Sequence, residues 1–313
     1  MYDLSLLFAC PVCKRALIGN ACSVCNIDFS RGKTRVPSFL CKEMYESEAS
    51  YQQALQTIEF WGNGWGKRLQ ESEHAFIYDM TGEQLHQYAA EQIELGKRGS
   101  TLMGHEVPLG ELDGKVVLNI GCGAGTEALT LAHAGARCLA MDITYEAACA
   151  ADMILDRVCG GLALQGDARF IPLKDSSVDI VYSSGVLHHS SDIEKSIGEI
   201  SRVLKPGGTA YVMLYAKWSI VFLQEKLLGW TGEQAWETGD RKNPRSDVFS
   251  VQDCKELFSG FSPVSVDKRG GSLRQIAKIG TFFPKSLDFL VDKPLGANLN
   301  IVATKKHSLH VST

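Results

Sequence analysis

The sequence lacks any stretch near the roughly 18 uninterrupted apolar residues that a membrane-crossing helix needs. Its start runs through Asp3 to Cys10 without the charged-then-apolar order of an export signal. These two absences predict a soluble, unexported, cytoplasmic protein. Neither sign of charge is in excess: 32 Lys and Arg against 36 Asp and Glu leave -4 and a pI near 6.1, so there is no global pull toward nucleic acid or an anionic membrane. Internal repeats and low-complexity tracts are missing as well. What is present, 313 residues of which 45% are hydrophobic, excludes disordered and fibrous classes and supports a large core in about two domains of the usual ~100–200 residues.

Cysteine is unevenly placed. Four of the ten, Cys10, Cys13, Cys22 and Cys25, lie in the first 25 residues, and the other six are scattered and read as small buried apolar side chains. Two Cys-x-x-Cys turns separated by eight residues can point four thiolates inward, which suits a closed tetrahedral Zn²⁺ site. Redox or disulfide pairs are the alternative, disfavoured in a chain with no export signal. A segment this short has little core of its own, so the metal is expected to be structural and to supply folding energy. The predicted zinc ribbon, residues 1–42, carries Lys14, Arg15, Arg31, Lys33, Arg35 and Lys42 against Asp3 and Asp28, a balance of +4 that leaves -8 elsewhere. That asymmetry fits either an RNA-facing module or a face docked on an acidic neighbour.

From about residue 112 strand-length apolar runs alternate with helix-length segments: Lys115 to Ile120, Arg137 to Ile143, Leu162 to Gln165, Val178 to Ser183 and Thr209 to Tyr215. Helices are predicted at Thr126 to Ala134, Tyr145 to Val158 and Asp192 to Leu204, the last stopped by Pro206-Gly207-Gly208. The pattern is a βαβ array that forms an α/β, doubly wound, mostly parallel sheet, and ligands of such sheets bind beyond the carboxyl ends of the strands. The first loop there is Asn119-Ile120-Gly121-Cys122-Gly123-Ala124-Gly125-Thr126. Its glycines permit a sharp turn ahead of a helix N-terminus. Thr126 makes the spacing GxGxG, whereas a nicotinamide fingerprint wants a glycine there. The next two strands end in Asp142-Ile143 and Gly166-Asp167-Ala168, which places two carboxylates at the same edge.

With Asp179-Ile180-Val181, Leu187-His188-His189 and Arg202-Val203-Leu204-Lys205-Pro206-Gly207-Gly208 in order behind them, residues 112–215 resemble the core of class I S-adenosylmethionine-dependent methyltransferases, in the branch called type 11. The resemblance implies a seven-stranded Rossmann-like sheet and S-adenosyl-L-methionine as cofactor. Gly121, Gly123 and Gly125 would pass under its methionine end, Asp142 with Ile143 would hold the ribose, Asp167 with Ala168 would contact adenine, and Ser184 would join the site. The family usually has Asp or Glu where this chain has Asn119, which keeps an acceptor oxygen and loses the charge that could face the cofactor's ammonium. His188 and His189 are the candidate catalytic residues; either could serve as a general base, or be a packed residue where positioning alone drives transfer.

Residues 43–111 read as an aromatic-rich helical cap and linker, in which Phe60-Trp61-Gly62-Asn63-Gly64-Trp65-Gly66-Lys67-Arg68 is expected to be a glycine-jointed lid or a seam between ribbon and sheet. His74 and Tyr78 stand at i, i+4. The core domain is placed at 112–305 with an insertion at about 216–250, whose Arg241, Lys242 and Arg245 are candidates for an anionic acceptor, and 306–313 as a tail. A helix from Trp218 to Trp230, a short one from Val251 to Phe258 and strands at Pro263 to Asp267 and Leu299 to Thr304 complete the expected fold. The expected partner is a small-molecule, sugar or lipid-linked acceptor; RNA, and a non-catalytic cofactor-binding scaffold, are the alternatives. Nothing in the sequence sets the oligomeric state.

Overall fold

The computed structural model describes residues 3–32, 34–71, 75–98, 106–158, 160–228, 246–275 and 282–307. Seven strands build the central sheet: β3 (Val116–Ile120), β4 (Arg137–Asp142), β5 (Gly161–Gln165), β6 (Val178–Ser184), β7 (Leu204–Tyr215), β8 (Phe261–Arg269) and β9 (Asn298–Lys305). They lie in the order β5-β4-β3-β6-β7-β9-β8, with β9 antiparallel to both neighbours and the other described pairings parallel. Every residue of β3 is buried, as expected of a strand covered on both faces. The order reverses between β3 and β6, and a doubly wound sheet opens a crevice at such a point.

Helices α3 (Thr126–His133) and α4 (Tyr145–Arg157) cover one face, where Ala128, Leu131, Ala151 and Leu155 pack on Val117, Cys138 and Ala140. On the opposite face α5 (Ile193–Val203) and α7 (Val251–Leu257) cover Leu118, Ile120 and Val181 through Ile197, Ile200 and Cys254. The α6 helix (Ile220–Leu228) follows β7. Two further helices, α1 (Glu48–Glu71) and α2 (Gly82–Arg98), pack on α4 and α3 respectively and form an outer layer.

The expected strands lie within two residues of the observed ones, apart from the start of β7. The β7 strand begins at Leu204 and runs through Pro206-Gly207-Gly208, with its pairing to β6 shifted between Val178 and Ile180. A proline inside a strand is tolerated at such an irregularity because no ladder donor is required of it. The segment from Phe60 to Arg68 is continuous helix within α1, and no glycine-jointed loop forms. Packing of α1 against α4 outweighs the poor helix propensity of its glycines, of which Gly62 faces α4, where a Cβ would stand 3.5 Å from Glu146 Oε2, and Gly64 faces open space. His74, residues 229–245 with Arg241, Lys242 and Arg245, Cys159 and residues 308–313 lie outside the described residues, as do the side chains of Trp65, Lys67 and Arg68.

Candidate functional site

The N-terminal segment forms a short hairpin, β1 (Ala21–Cys22) with β2 (Ile27–Asp28). All four thiol sulfurs of Cys10, Cys13, Cys22 and Cys25 lie within 4.8 Å of one another, with Cys10 to Cys25 at 3.8 Å and Cys13 to Cys22 at 3.6 Å. Four sulfurs about 2.3 Å from one tetrahedral ion would stand about 3.8 Å apart, so the donor set fits Zn²⁺.

This segment is seated on the sheet. Phe39 N–H donates to the Gln165 carbonyl at 2.9 Å and Gln165 N–H to the Pro37 carbonyl at 3.0 Å, so residues 37–39 pair alongside the outer strand β5. Leu4, Leu7, Phe8, Phe29 and Phe39 share one core with Leu139, Leu164 and Ile171. Three of the basic side chains meet the body of the protein while Arg31 and Arg35 stay largely exposed: Lys14 pairs with Glu199 at 2.8 Å, Arg35 with Asp152 at 2.9 Å and with Asp156, and Arg31 bonds Gln165 and lies over the Tyr145 ring. Lys42 pairs with Glu48.

A cleft opens at the carboxyl ends of β3, β4, β5 and β6, where ligands of doubly wound sheets bind. Gly121, Asp142, Ile143, Asp167 and Ala168 line it. The glycine loop folds as its composition demands: Gly121, Gly123 and Gly125 have φ of +72°, +50° and +85°. A Cβ on Gly121 would sit 2.2 Å from Val186 Cγ2, so the loop is a close approach as well as a left-handed turn. Gly123 and Gly125 shape the loop from behind the cleft surface, and the Tyr78 hydroxyl covers it, donating to the Ala124 carbonyl at 3.0 Å.

Asp142 Oδ1 accepts from the N–H and hydroxyl of Thr144, both at 2.9 Å, and Oδ2 from Gly123 N–H at 3.0 Å. Burial raises its carboxyl above the usual range, opposed by those donors. Asp167 is held more completely. Arg169 donates to it from its backbone N, Nε and Nη2, the last at 2.6 Å, and the Tyr45 hydroxyl adds a bond at 3.2 Å. Burial first, then the Asp167 charge, pushes the Tyr45 phenol upward, so it stays a donor. Arg169 Nη1 also reaches the Ser191 hydroxyl, which ties the end of β5 to the loop after β6.

The two histidines after β6 part company. His189 lines the cleft with its ring 5.0 Å from that of Trp61 on α1. His188 points inward, with no exposed surface, 3.8 Å from the Tyr215 ring, and neither ring nitrogen has a hydrogen-bond partner. Burial, then His189, holds its pKa well below the ordinary value, so it is neutral. Asn119 and Ser184 stand behind the cleft wall, Asn119 fully buried. Sequence reasoning missed Ala54, Thr57, Arg169, Ser190 and Ser191 as cleft residues. Only Arg169, two positions after a strand-end aspartate, carried a local signal.

A switch-point cleft, a glycine loop ahead of α3 and carboxylates closing β4 and the β5 turn define a doubly wound domain of the class I methyltransferase fold. Residues 118–212 match the methyltransferase domain family. Similar curated proteins include the biotin biosynthesis bifunctional protein BioHC of Cellvibrio japonicus, 35% identical over 36% of this chain and 22% of that protein. The malonyl-[acyl-carrier protein] O-methyltransferase of Yersinia pestis is 32% identical over 52% of this chain and 58% of that protein. The cypemycin N-terminal methyltransferase of a Streptomyces species is 32% identical over 44% and 55%. The chain thus spans less than two thirds of the length of each. Among solved structures, a chain of the complex between the Haloferax volcanii Trm112 methyltransferase activator and a methyltransferase shares the fold, with TM-score 0.50 and 21% identity over 76% of this chain and 96% of that one.

Proposed function

We propose that this protein transfers a methyl group from S-adenosylmethionine to a small-molecule, sugar or lipid-linked acceptor. The observation that carries the reading is the cleft at the switch point, lined by Asp142 and Asp167 and by Trp61 packed at a tilt against His189. S-adenosylmethionine supplies a methyl group on a positively charged sulfur, open to in-line attack. The residues fit a nucleoside. Asp142 has three donors on a carboxylate with about four acceptor positions, which leaves one for a ribose hydroxyl. Asp167 has four donors from its own chain, so an adenine amino group reaches it by displacing the longest, the Tyr45 hydroxyl. Ile143, Ala168 and Leu187 give apolar walls. Trp61, Thr57 and Ala54 on α1 exclude water and hold the acceptor in line, which supplies much of the acceleration without a base; where a base is used, His189 is placed to act.

A cleft narrowed by Ala54, Thr57 and Trp61 of α1 favours a small acceptor. The basic ribbon argues less for RNA than its composition does, because Lys14 and Arg35 are paired with acidic groups of the core and Arg31 rests on Gln165 and Tyr145. The relatives named for malonyl-[acyl-carrier protein] and for the N-terminus of cypemycin differ in acceptor and do not choose between classes. We also propose that the four thiolates hold one structural Zn²⁺. Incubation with methyl-labelled S-adenosylmethionine and extract of the source cells, with and without nuclease, tests the assignment. Label in nuclease-resistant small molecules, glycans or lipids supports it; label lost to nuclease makes RNA the acceptor, and cofactor binding with no transfer leaves a non-catalytic scaffold.

A further inference from the structure

Asn119 and Tyr182 are direct partners across the parallel β3–β6 pair, so their side chains share the face covered by α3. Asn119 is wholly buried, and neither its amide nitrogen nor its oxygen has a hydrogen-bond partner. A buried amide with four unused positions costs free energy unless something meets it. The Tyr182 hydroxyl beside it donates to Glu127 Oε1 at 2.9 Å. Ser184 is two residues on along β6 and its side chain is on the same face. Gly121 and Gly185, next along β3 and β6, line the cleft. Four oxygen-bearing side chains therefore converge behind the glycine loop, and the acidic one, in the first turn of α3, forms no ion pair among the described residues.

We propose that Glu127, with Tyr182, Ser184 and Asn119, binds the α-ammonium group of the methionyl end of the cofactor. The inference rests on the cofactor reading above. An ammonium has three donors and a positive charge and no acceptor, which is the complement of a carboxylate, two hydroxyls and an amide oxygen. Glu127 in this way provides the charge that Asn119, in a position where an acid is usual, does not. Burial holds its carboxyl up, to about 7, although part of the residue reaches solvent; Tyr182 on β6 and Cys122 in the glycine loop are the titratable groups that face it.

Calorimetry with two ligands tests this, S-adenosylhomocysteine, which carries the ammonium, and 5′-methylthioadenosine, which lacks the amino-acid end. Glu127→Gln, which keeps the shape and the Tyr182 bond, is expected to weaken the first about tenfold, the scale of one charge-assisted hydrogen bond. The second should change by less than about twofold. With the wild-type protein near pH 7, buffers of different ionisation enthalpy should reveal proton release on binding the first ligand and none on binding the second. Equal effects of the substitution on both ligands, or none on either with no proton release, would overturn the assignment. Failure of the wild-type protein to bind S-adenosylhomocysteine at all would instead overturn the methyltransferase reading.

Discussion

The Tyr45 hydroxyl donates to Asp167 Oδ2 at 3.2 Å, so a residue three positions past the ribbon touches the carboxylate that follows β5. The same carboxylate is paired with Arg169, and both side chains are nearly buried, with about 4% and 10% exposure. Truncating the cation leaves a buried, uncompensated charge, so Arg169→Ala should cost about 3–5 kcal/mol of stability. Tyr45→Phe, which removes one donor and leaves the pair, should cost only about 0.5–1.5 kcal/mol. Chemical denaturation of the two variants reads the difference; equal costs would show that Arg169 is not the main partner.

Asp142→Ala should weaken cofactor binding by about 1–3 kcal/mol, the usual cost of leaving a bound ligand's donors unpaired. Titration calorimetry with S-adenosylhomocysteine checks it. Unchanged affinity would mean that the ribose lies elsewhere.

Cofactor affinity should depend on pH through Glu127. Its carboxyl is raised from the ordinary 4.5 to about 7, and only the ionised form attracts a cation, so affinity should rise from pH 5.5 through 7 and level off above. The free protein behaves in the opposite sense. Between about 4.5 and 7 the folded state holds the proton that the unfolded state has lost, so this group's contribution to stability falls as pH rises through that window. Glu127→Gln should flatten the affinity profile; an unchanged profile in that variant would assign the titration to another group.

Metal analysis should find one zinc per chain. Because Leu4, Leu7, Phe8, Phe29 and Phe39 are core residues of the whole domain, chelation or Cys13→Ser should lower the melting temperature by more than about 5 °C. A metal-free chain with unchanged melting would remove zinc from the account.

The histidine pair can be separated by substitution. His188 is an unsatisfied imidazole against Tyr215, so His188→Phe should leave stability near neutral or raised and keep methyl transfer. His189→Ala opens the cleft beside Trp61 and should lower kcat/KM for the acceptor at least about tenfold. The reverse ranking would make His188 the working residue.

Local sequence carried much of this. Runs such as Val116-Val117-Leu118 and the turn chemistry of Gly121 to Gly125 declare a buried strand and a left-handed loop without help from the rest of the chain, and Asp142 and Asp167 follow from where their strands stop. Pairing across long separations was not legible. Nothing near Phe39 announces that it lies beside Gln165, 126 positions away, and nothing near Glu127 announces Tyr182. The α1 helix is not legible because Gly62 and Gly64 argue against helix, while the surface of α4 on which the helix packs lies some 80 residues further on. The ribbon's charge was read correctly as +4, yet which way those cations point depends on Glu199 and Asp152.

The seating of residues 37–39 along β5 has one more consequence. An outer strand with open donors and acceptors is an adhesive template for other chains. Here the carboxyl end of β5, at Gln165, is paired with the protein's own N-terminal segment, and the other flank is the β8 strand, which carries Pro263. Proline offers no N–H to an incoming strand. The residues that follow the cysteine cluster thus leave one edge position fewer open to an incoming strand, at the end of β5 that borders the cleft.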